Sequence, residues 1–177
     1  MVGAYSSWQE VQWLYNNGFE ISDHSATHPN SLNVESCSGL NSEIYQSRKL
    51  LAQNGISFDP GFALPDGVGY NNASLLSYIY ASGFSHVYPD GQDQSTAVLN
   101  YNNGPRTYWY ELDAANYESF TYFRSAVSQA SGSFVVGLYM HLVTDHVSGS
   151  MYYINTTNFR QDMAYLANNG YTVILPS

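Results

Sequence analysis

Helix-like and strand-like segments alternate along this chain, and that alternation constrains the fold more than any other feature. Ser7-Trp8-Gln9-Glu10 reads as a helix opening, with Ser7 as the cap and Glu10 at the third helical position. Val11, Leu14 and Tyr15 follow at helical spacing, and Asn17-Gly18 ends the segment. Phe19 to Ser22 then reads as a short strand. A second helix is predicted over Asn41 to Gln53, closed by Asn54-Gly55, and a strand over Phe58 to Leu64 before the turn Pro65-Asp66-Gly67. Asn72 to Ala81 is helical, Ser82-Gly83 stops it, and Phe84 to Tyr88 is the next strand. Residues 89–106, rich in Asp, Gly, Gln and Asn, read as a long surface loop. The remaining segments are a strand over Thr107 to Leu112, a helix over Tyr117 to Gln129 and a buried strand over Phe134 to Met140. A helix over Thr157 to Asn168, stopped by Gly170, and a last strand over Tyr171 to Leu175 complete the series. This order predicts an α/β fold with a mostly parallel sheet.

No internal repeat or linker divides the chain, and 177 residues suffice for one domain, 1–177, with a real core. Five Lys plus Arg stand against 14 Asp plus Glu, a net charge of −9. That balance argues against nucleic acid or an anionic membrane as partner. No apolar run approaches 18 residues, so no membrane span is expected, and no signal peptide is visible. Lys49 is the single lysine, while Tyr, Asn and Ser are abundant, a surface chemistry suited to sugars that an extracellular or salt-rich habitat would also select; an extracellular or cell-envelope location is expected. Cys37 is the one cysteine, which excludes an internal disulfide and a cysteine-based zinc site. Asn72-Ala-Ser and Asn155-Thr-Thr are formal glycosylation sequons.

In α/β folds, ligands bind beyond the carboxyl ends of strands. Three predicted strand ends carry polar, ligand-capable residues: His24 after the first, Pro65 and Asp66 after the second, His141 after a later one. His24 and His28 lie four apart in ISDHSATHPN. Zinc holds imidazole nitrogens at about 2.0–2.1 Å, so two donors sharing an ion lie within about 3.5 Å of each other. On an extended strand, residues four apart are separated by about 13 Å. The pair can therefore share an ion only if the chain turns tightly across Ser25-Ala26-Thr27, and Pro29 favours a turn that ends at His28. A His-x-x-x-His spacing in a polar loop also arises by chance.

Here the sequence resembles the polysaccharide deacetylase family, the carbohydrate esterases that share the NodB homology domain. Trp8 to Pro29, WQEVQWLYNNGFEISDHSATHP, is similar to the family's helix, glycine stop and strand, ending in its His-Ser/Thr-x-x-His zinc motif. Phe62 to Gly67, FALPDG, resembles the proline-containing motif that walls the substrate groove, and Leu138-Tyr139-Met140-His141 resembles the late Leu-x-His motif. Thr157 to Leu175 resembles the closing helix and strand, so the likeness covers nearly the whole chain in family order. It implies an incomplete or distorted (β/α) barrel, a divalent metal (zinc) on His24 and His28, and His141 as general acid toward the leaving group. It also implies Pro65 in the groove wall and a carbohydrate polymer such as chitin, peptidoglycan or xylan as the partner that loses its acyl groups.

Two departures qualify it. The family's Thr-Phe-Asp-Asp-Gly motif, source of the catalytic base and an aspartate ligand, has no counterpart here, which implies a domain truncated at its N-terminus. The arginine of the proline motif is replaced by Ala63 or Leu64. Asp66 is the first candidate for a replacement base or ligand, although Pro-Asp-Gly is also an ordinary turn sequence. Asp145 is a further candidate, and Asp23 the weakest, because neighbouring strand residues point to opposite faces. Tyr70, Trp109 and Tyr139, near strand ends, are candidate sugar-stacking residues, with Tyr108 beside them. An exposed sheet edge left by the missing unit would be capped by a homodimer. Two alternatives stay open: a carbohydrate-binding remnant without turnover, and a hydrolase of altered ester specificity.

Overall fold

A computed structural model describes residues 6–57, 61–88, 97–98, 106–112, 119–130, 134–145 and 152–174. They fall into two compact units, one running from 6 to 88 and the other from 97 to 174.

The first unit opens with α1 (Trp8–Asn16). Ser7 Oγ accepts the Glu10 N–H and the Glu10 carboxylate accepts the Ser7 N–H, so both partners of the capping box are in place. At the far end Phe19 N–H returns to the Leu14 carbonyl. That bond spends the amide on closing the helix, and the strand expected over Phe19 to Ser22 does not form. Pairing begins one residue later, at Asp23, in a parallel bridge to Phe62. The second helical stretch starts earlier than expected, at α2 (Cys37–Leu40), because Ser36 caps it through the Gly39 N–H. It continues through a π turn over Asn41–Tyr45 into α3 (Gln46–Gln53).

Strand β1 (Gly61–Ala63) pairs in parallel with β2 (His86–Tyr88), and α4 (Ala73–Ala81) makes the crossover between them. Strand β2 is shorter than expected, β1 ends at Ala63, one residue before the expected end, and residues 58–60 lie outside the described ones. Asp23 lines one edge of β1 and β2 the other. Gly61 is required here, because a Cβ would come within 2.6 Å of the Tyr88 ring and 2.7 Å of Ser22 Oγ. The core gathers Leu32, Ile44, Phe62, Leu64, Leu75, Ile79, Phe84 and Val87, with the Phe62 and Phe84 rings edge-to-face at 5.2 Å.

In the second unit β4 (Arg106–Glu111) runs parallel to β5 (Phe134–Tyr139), from Arg106 opposite Phe134 to Glu111 opposite Tyr139. Strand β3 (Ala97–Val98) adds to the other edge of β4 in antiparallel sense, inside the stretch expected to be loop. The rest of that stretch up to residue 105 lies outside the described residues. Val135 to Tyr139 are half-buried where a buried strand was expected. Helix α5 (Phe120–Val127), capped by Ser119, and α6 (Thr156–Asn168), capped by Asn155, enclose a core of Leu112, Phe123, Val127 and Leu166. Tyr171 N–H returns to the Leu166 carbonyl. Residues 171–174 belong to no strand, and Val173 and Ile174 are exposed, so the expected final strand is absent from its described part.

Both sequon asparagines serve as helix caps: Asn72 Oδ1 accepts from Ser74 and Leu75, and Asn155 Oδ1 accepts from Asn158. No helix among the described residues is long and apolar enough to cross a membrane.

Candidate metal centre

The chain does turn between His24 and His28. Their rings stand edge-to-face with centroids 4.8 Å apart and an interplanar angle of 78°. The turn rests on two left-handed residues, Ser25 at φ 67° and His28 at φ 55°. The only other non-glycine residue with positive φ among those described is Asp66, at φ 51°. Left-handed backbone costs a side-chain-bearing residue about 1–2 kcal/mol. Three such residues confined to two loops at neighbouring strand ends is the clustering that functional sites display.

Every backbone N–H of the turn has a partner. Ser25 N–H meets Asp23 Oδ1 at 3.1 Å, Ala26 N–H the Glu43 carbonyl at 3.0 Å, and Thr27 N–H Glu43 Oε2 at 2.9 Å. His28 N–H meets Ser25 Oγ at 3.1 Å, and the Thr27 hydroxyl donates to Glu43 Oε1 at 2.8 Å. Two buried acids thus carry the loop: Asp23, which also accepts the Ser47 hydroxyl at 2.9 Å, and Glu43. Burial pushes the Asp23 carboxyl up to about 6, against the opposing hydrogen bonds of Ser47, Ser25 and His24.

Asp23 and His24 point apart, as strand alternation requires. The backbone of Asp23 is fixed to β1 on both sides, its N–H to the Gly61 carbonyl at 3.1 Å and its carbonyl to the Ala63 N–H at 2.8 Å. Its carboxylate turns to Ser47, while His24 reaches the Ala63 carbonyl with Nδ1 at 2.9 Å. A carbonyl can only accept, so Nδ1 carries a proton, and in the neutral ring Nε2 then keeps its lone pair. That is how metal-ligating histidines are commonly oriented.

The spacing of the two ring centroids is one that a shared ion would allow. Two imidazoles bound at about 2.1 Å hold ring centroids about 4.6 Å apart at a right angle and about 5.3 Å apart at a tetrahedral one. The observed spacing lies between these values. The same spacing also serves an edge-to-face ring pair without an ion. No group of three or more His, Cys, Asp or Glu with metal-holding geometry occurs among the described residues, so Asp66 does not complete a three-ligand set with the pair.

Asp66 is exposed, in the turn Pro65–Gly67 that follows β1; Pro65 is fully buried at the start of that turn, and Tyr70 beyond it is exposed. His141, Tyr139 and Trp109 belong to the second unit. His141 is exposed just past β5, with ring centroids 6.1 Å from Tyr139 and 5.1 Å from Tyr152. The Trp109 backbone lies opposite Gly137 in the ladder. Asp145 accepts the Thr156 N–H at 2.9 Å and the Thr156 hydroxyl at 2.5 Å, a role at the opening of α6. Tyr108 pairs with Ala97 and Val136 through its backbone.

Sequence reasoning missed Glu43, Ser47 and Tyr152. Glu43 contacts a loop 16 residues away, and the only hint was an acid beside the apolar Ile44 on a helix. No family model, curated protein or solved structure significantly matches this chain.

Proposed function

We propose that this chain is a metal-dependent hydrolase of the polysaccharide deacetylase type, built on an incomplete (β/α) barrel, that removes acyl groups from a carbohydrate polymer. One observation carries the reading: His24 and His28 are brought to ring contact by a strained, fully hydrogen-bonded turn, with the His24 tautomer set by the Ala63 carbonyl. A divalent ion such as zinc held there would supply Lewis-acid polarisation of the acyl carbonyl. Asp66, exposed at the neighbouring strand end, is the carboxylate assigned to proton abstraction. Proton donation to the leaving amine or alcohol by His141, a residue of the second unit, rests on the resemblance alone. Tyr70, with nearly half its surface exposed, is assigned to the sugar. Pro65, being buried, shapes the Asp66 turn from beneath.

A second reading, sugar binding without turnover, is supported by the exposed His141 and Tyr152 rings, which offer an aromatic face that needs no metal.

The test is metal content after chelation and zinc reconstitution, for the unsubstituted chain and for His24→Ala and His28→Ala, alongside acetate release from acetylated glucosamine oligomers and from aryl acetates. About one zinc per chain, lost in both variants, with zinc-dependent acetate release supports the hydrolase. Zinc-independent sugar binding without acetate release transfers the assignment to the second reading. Release from aryl acetates alone indicates altered ester specificity.

A further inference from the structure

Glu43 is an unusual residue at its position. It is buried, beside the fully buried Ile44, where an apolar side chain would fill the core without bringing in a charge. Its carboxylate is spent outside its own helix, on Thr27. The carboxylate takes both donors of Thr27 and the backbone carbonyl takes the Ala26 N–H, so three bonds enter the two residues centred between the histidines. Glu43 also stands at the middle of the π turn Asn41–Tyr45. One extra residue in a helical turn changes the direction of its carbonyls and side chains, and such turns concentrate at functional sites.

We infer that Glu43 is the positioning residue of the His24–His28 pair: through Thr27 and Ala26 it holds the left-handed turn that keeps the two rings together. The turn is strained at Ser25 and His28 and cannot persist unless its surroundings over-determine it. Asp23 secures the entry through Ser25, and Ser25 secures His28, while the backbone N–H groups of Ala26 and Thr27, in the middle of the turn, both go to Glu43. Removing one acceptor oxygen leaves Thr27 with an unmet donor and lets residues 25–28 relax toward right-handed or extended backbone, separating the rings. The expected effect on metal affinity rests on the hydrolase reading, whereas the effect on ring geometry stands without it.

The experiment compares the unsubstituted chain with Glu43→Gln, Thr27→Val and Thr27→Ser, using Glu10→Gln as a control that weakens a helix cap far from the turn. In metal-free protein, NMR reads the ring-to-ring NOE between His24 and His28. Competition with a chromophoric chelator then reads zinc affinity, and thermal unfolding reads the fold. Glu43→Gln should lose most of the NOE and bind zinc about 10- to 100-fold more weakly. Thr27→Val should fall part-way, Thr27→Ser should restore both, and Glu10→Gln should lower the unfolding temperature without moving either. An unchanged NOE in folded Glu43→Gln overturns the inference, as does its absence from the unsubstituted chain. Should Glu43→Gln fail to fold, Thr27→Val decides, and an unchanged NOE there overturns it equally. A chain that shows the NOE but binds no zinc refutes the metal reading and leaves the positioning role to be judged on the NOE.

Discussion

Replacing Asp23 by Asn should stabilise the metal-free protein at neutral pH, and the structure gives both sign and size. Asp23 is 4% exposed, and burial raises its carboxyl from 3.8 to about 6. A group whose folded-state pKa lies above its unfolded value holds its proton longer in the native state. Its stabilising contribution is therefore complete below about pH 3.8, falls as the pH rises, and is gone above about pH 6. Each tenfold change in proton affinity is worth about 1.4 kcal/mol, so keeping the ionised carboxylate buried at pH 7 costs at most about 3 kcal/mol. Asparagine preserves the shape, and its Oδ1 can still accept the Ser25 N–H. Its Nδ2 can donate to Ser47 Oγ, whose own hydrogen then goes to the Glu43 or Ile44 carbonyl, each already 2.8 Å away. Imperfect reversal of that one bond costs about 1 kcal/mol, leaving a net gain of about 1–2 kcal/mol. The assay is urea denaturation with chelator present at pH 4, 5, 6 and 7, followed by fluorescence from Trp8 and Trp13 of the first unit. The variant's advantage should grow steadily from pH 4 to pH 7. A loss of stability at pH 7 that shrinks toward pH 4 would mean that the native site prefers the carboxylate, and would refute the reasoning.

Other perturbations test separate parts of the structure. Asp162 on α6 is 3% exposed, and burial raises its carboxyl to about 6, so Asp162→Asn should flatten the fall in second-unit stability between pH 4 and pH 6, measured by hydrogen exchange of the α5 and α6 amides in urea. Gly61→Ala would drive a methyl into the Tyr88 ring and Ser22; denaturation should show a loss of about 1–3 kcal/mol. Asp66→Gly relieves an exposed left-handed residue and should raise stability by about 1 kcal/mol. If Asp66 is the base, the same variant should release acetate about 10²- to 10⁴-fold more slowly, so stability and activity move in opposite directions.

Local signals survived folding well. The Ser7–Glu10 capping box, the asparagine caps of α4 and α6 and the glycines that end helices act within a few residues of themselves, so the one-dimensional pattern suffices to place them. Where a strand was expected from apolar character alone, at Phe19 to Ser22 and Tyr171 to Leu175, a closing bond of the preceding helix had already taken an amide at the start of the run. A strand also needs a partner, and apolar character does not state where the partner is. The π turn was invisible for a related reason: its residues have ordinary helical propensity, and the bonds that reward it reach a different segment.

For the site, the sequence by itself determined the chemistry: two imidazoles four apart, a proline that ends their turn, an acid in the next turn, a third histidine after a late strand. It could state only a condition, that the chain must turn between His24 and His28. Tertiary structure decided that the condition is met, because the turn is strained and stands on buried acids, one of them from a distant helix, and on a carbonyl of β1. Spacing along a chain says which groups can meet. Whether they do depends on burial and hydrogen bonds contributed by residues far away in sequence, a property of the packed molecule alone.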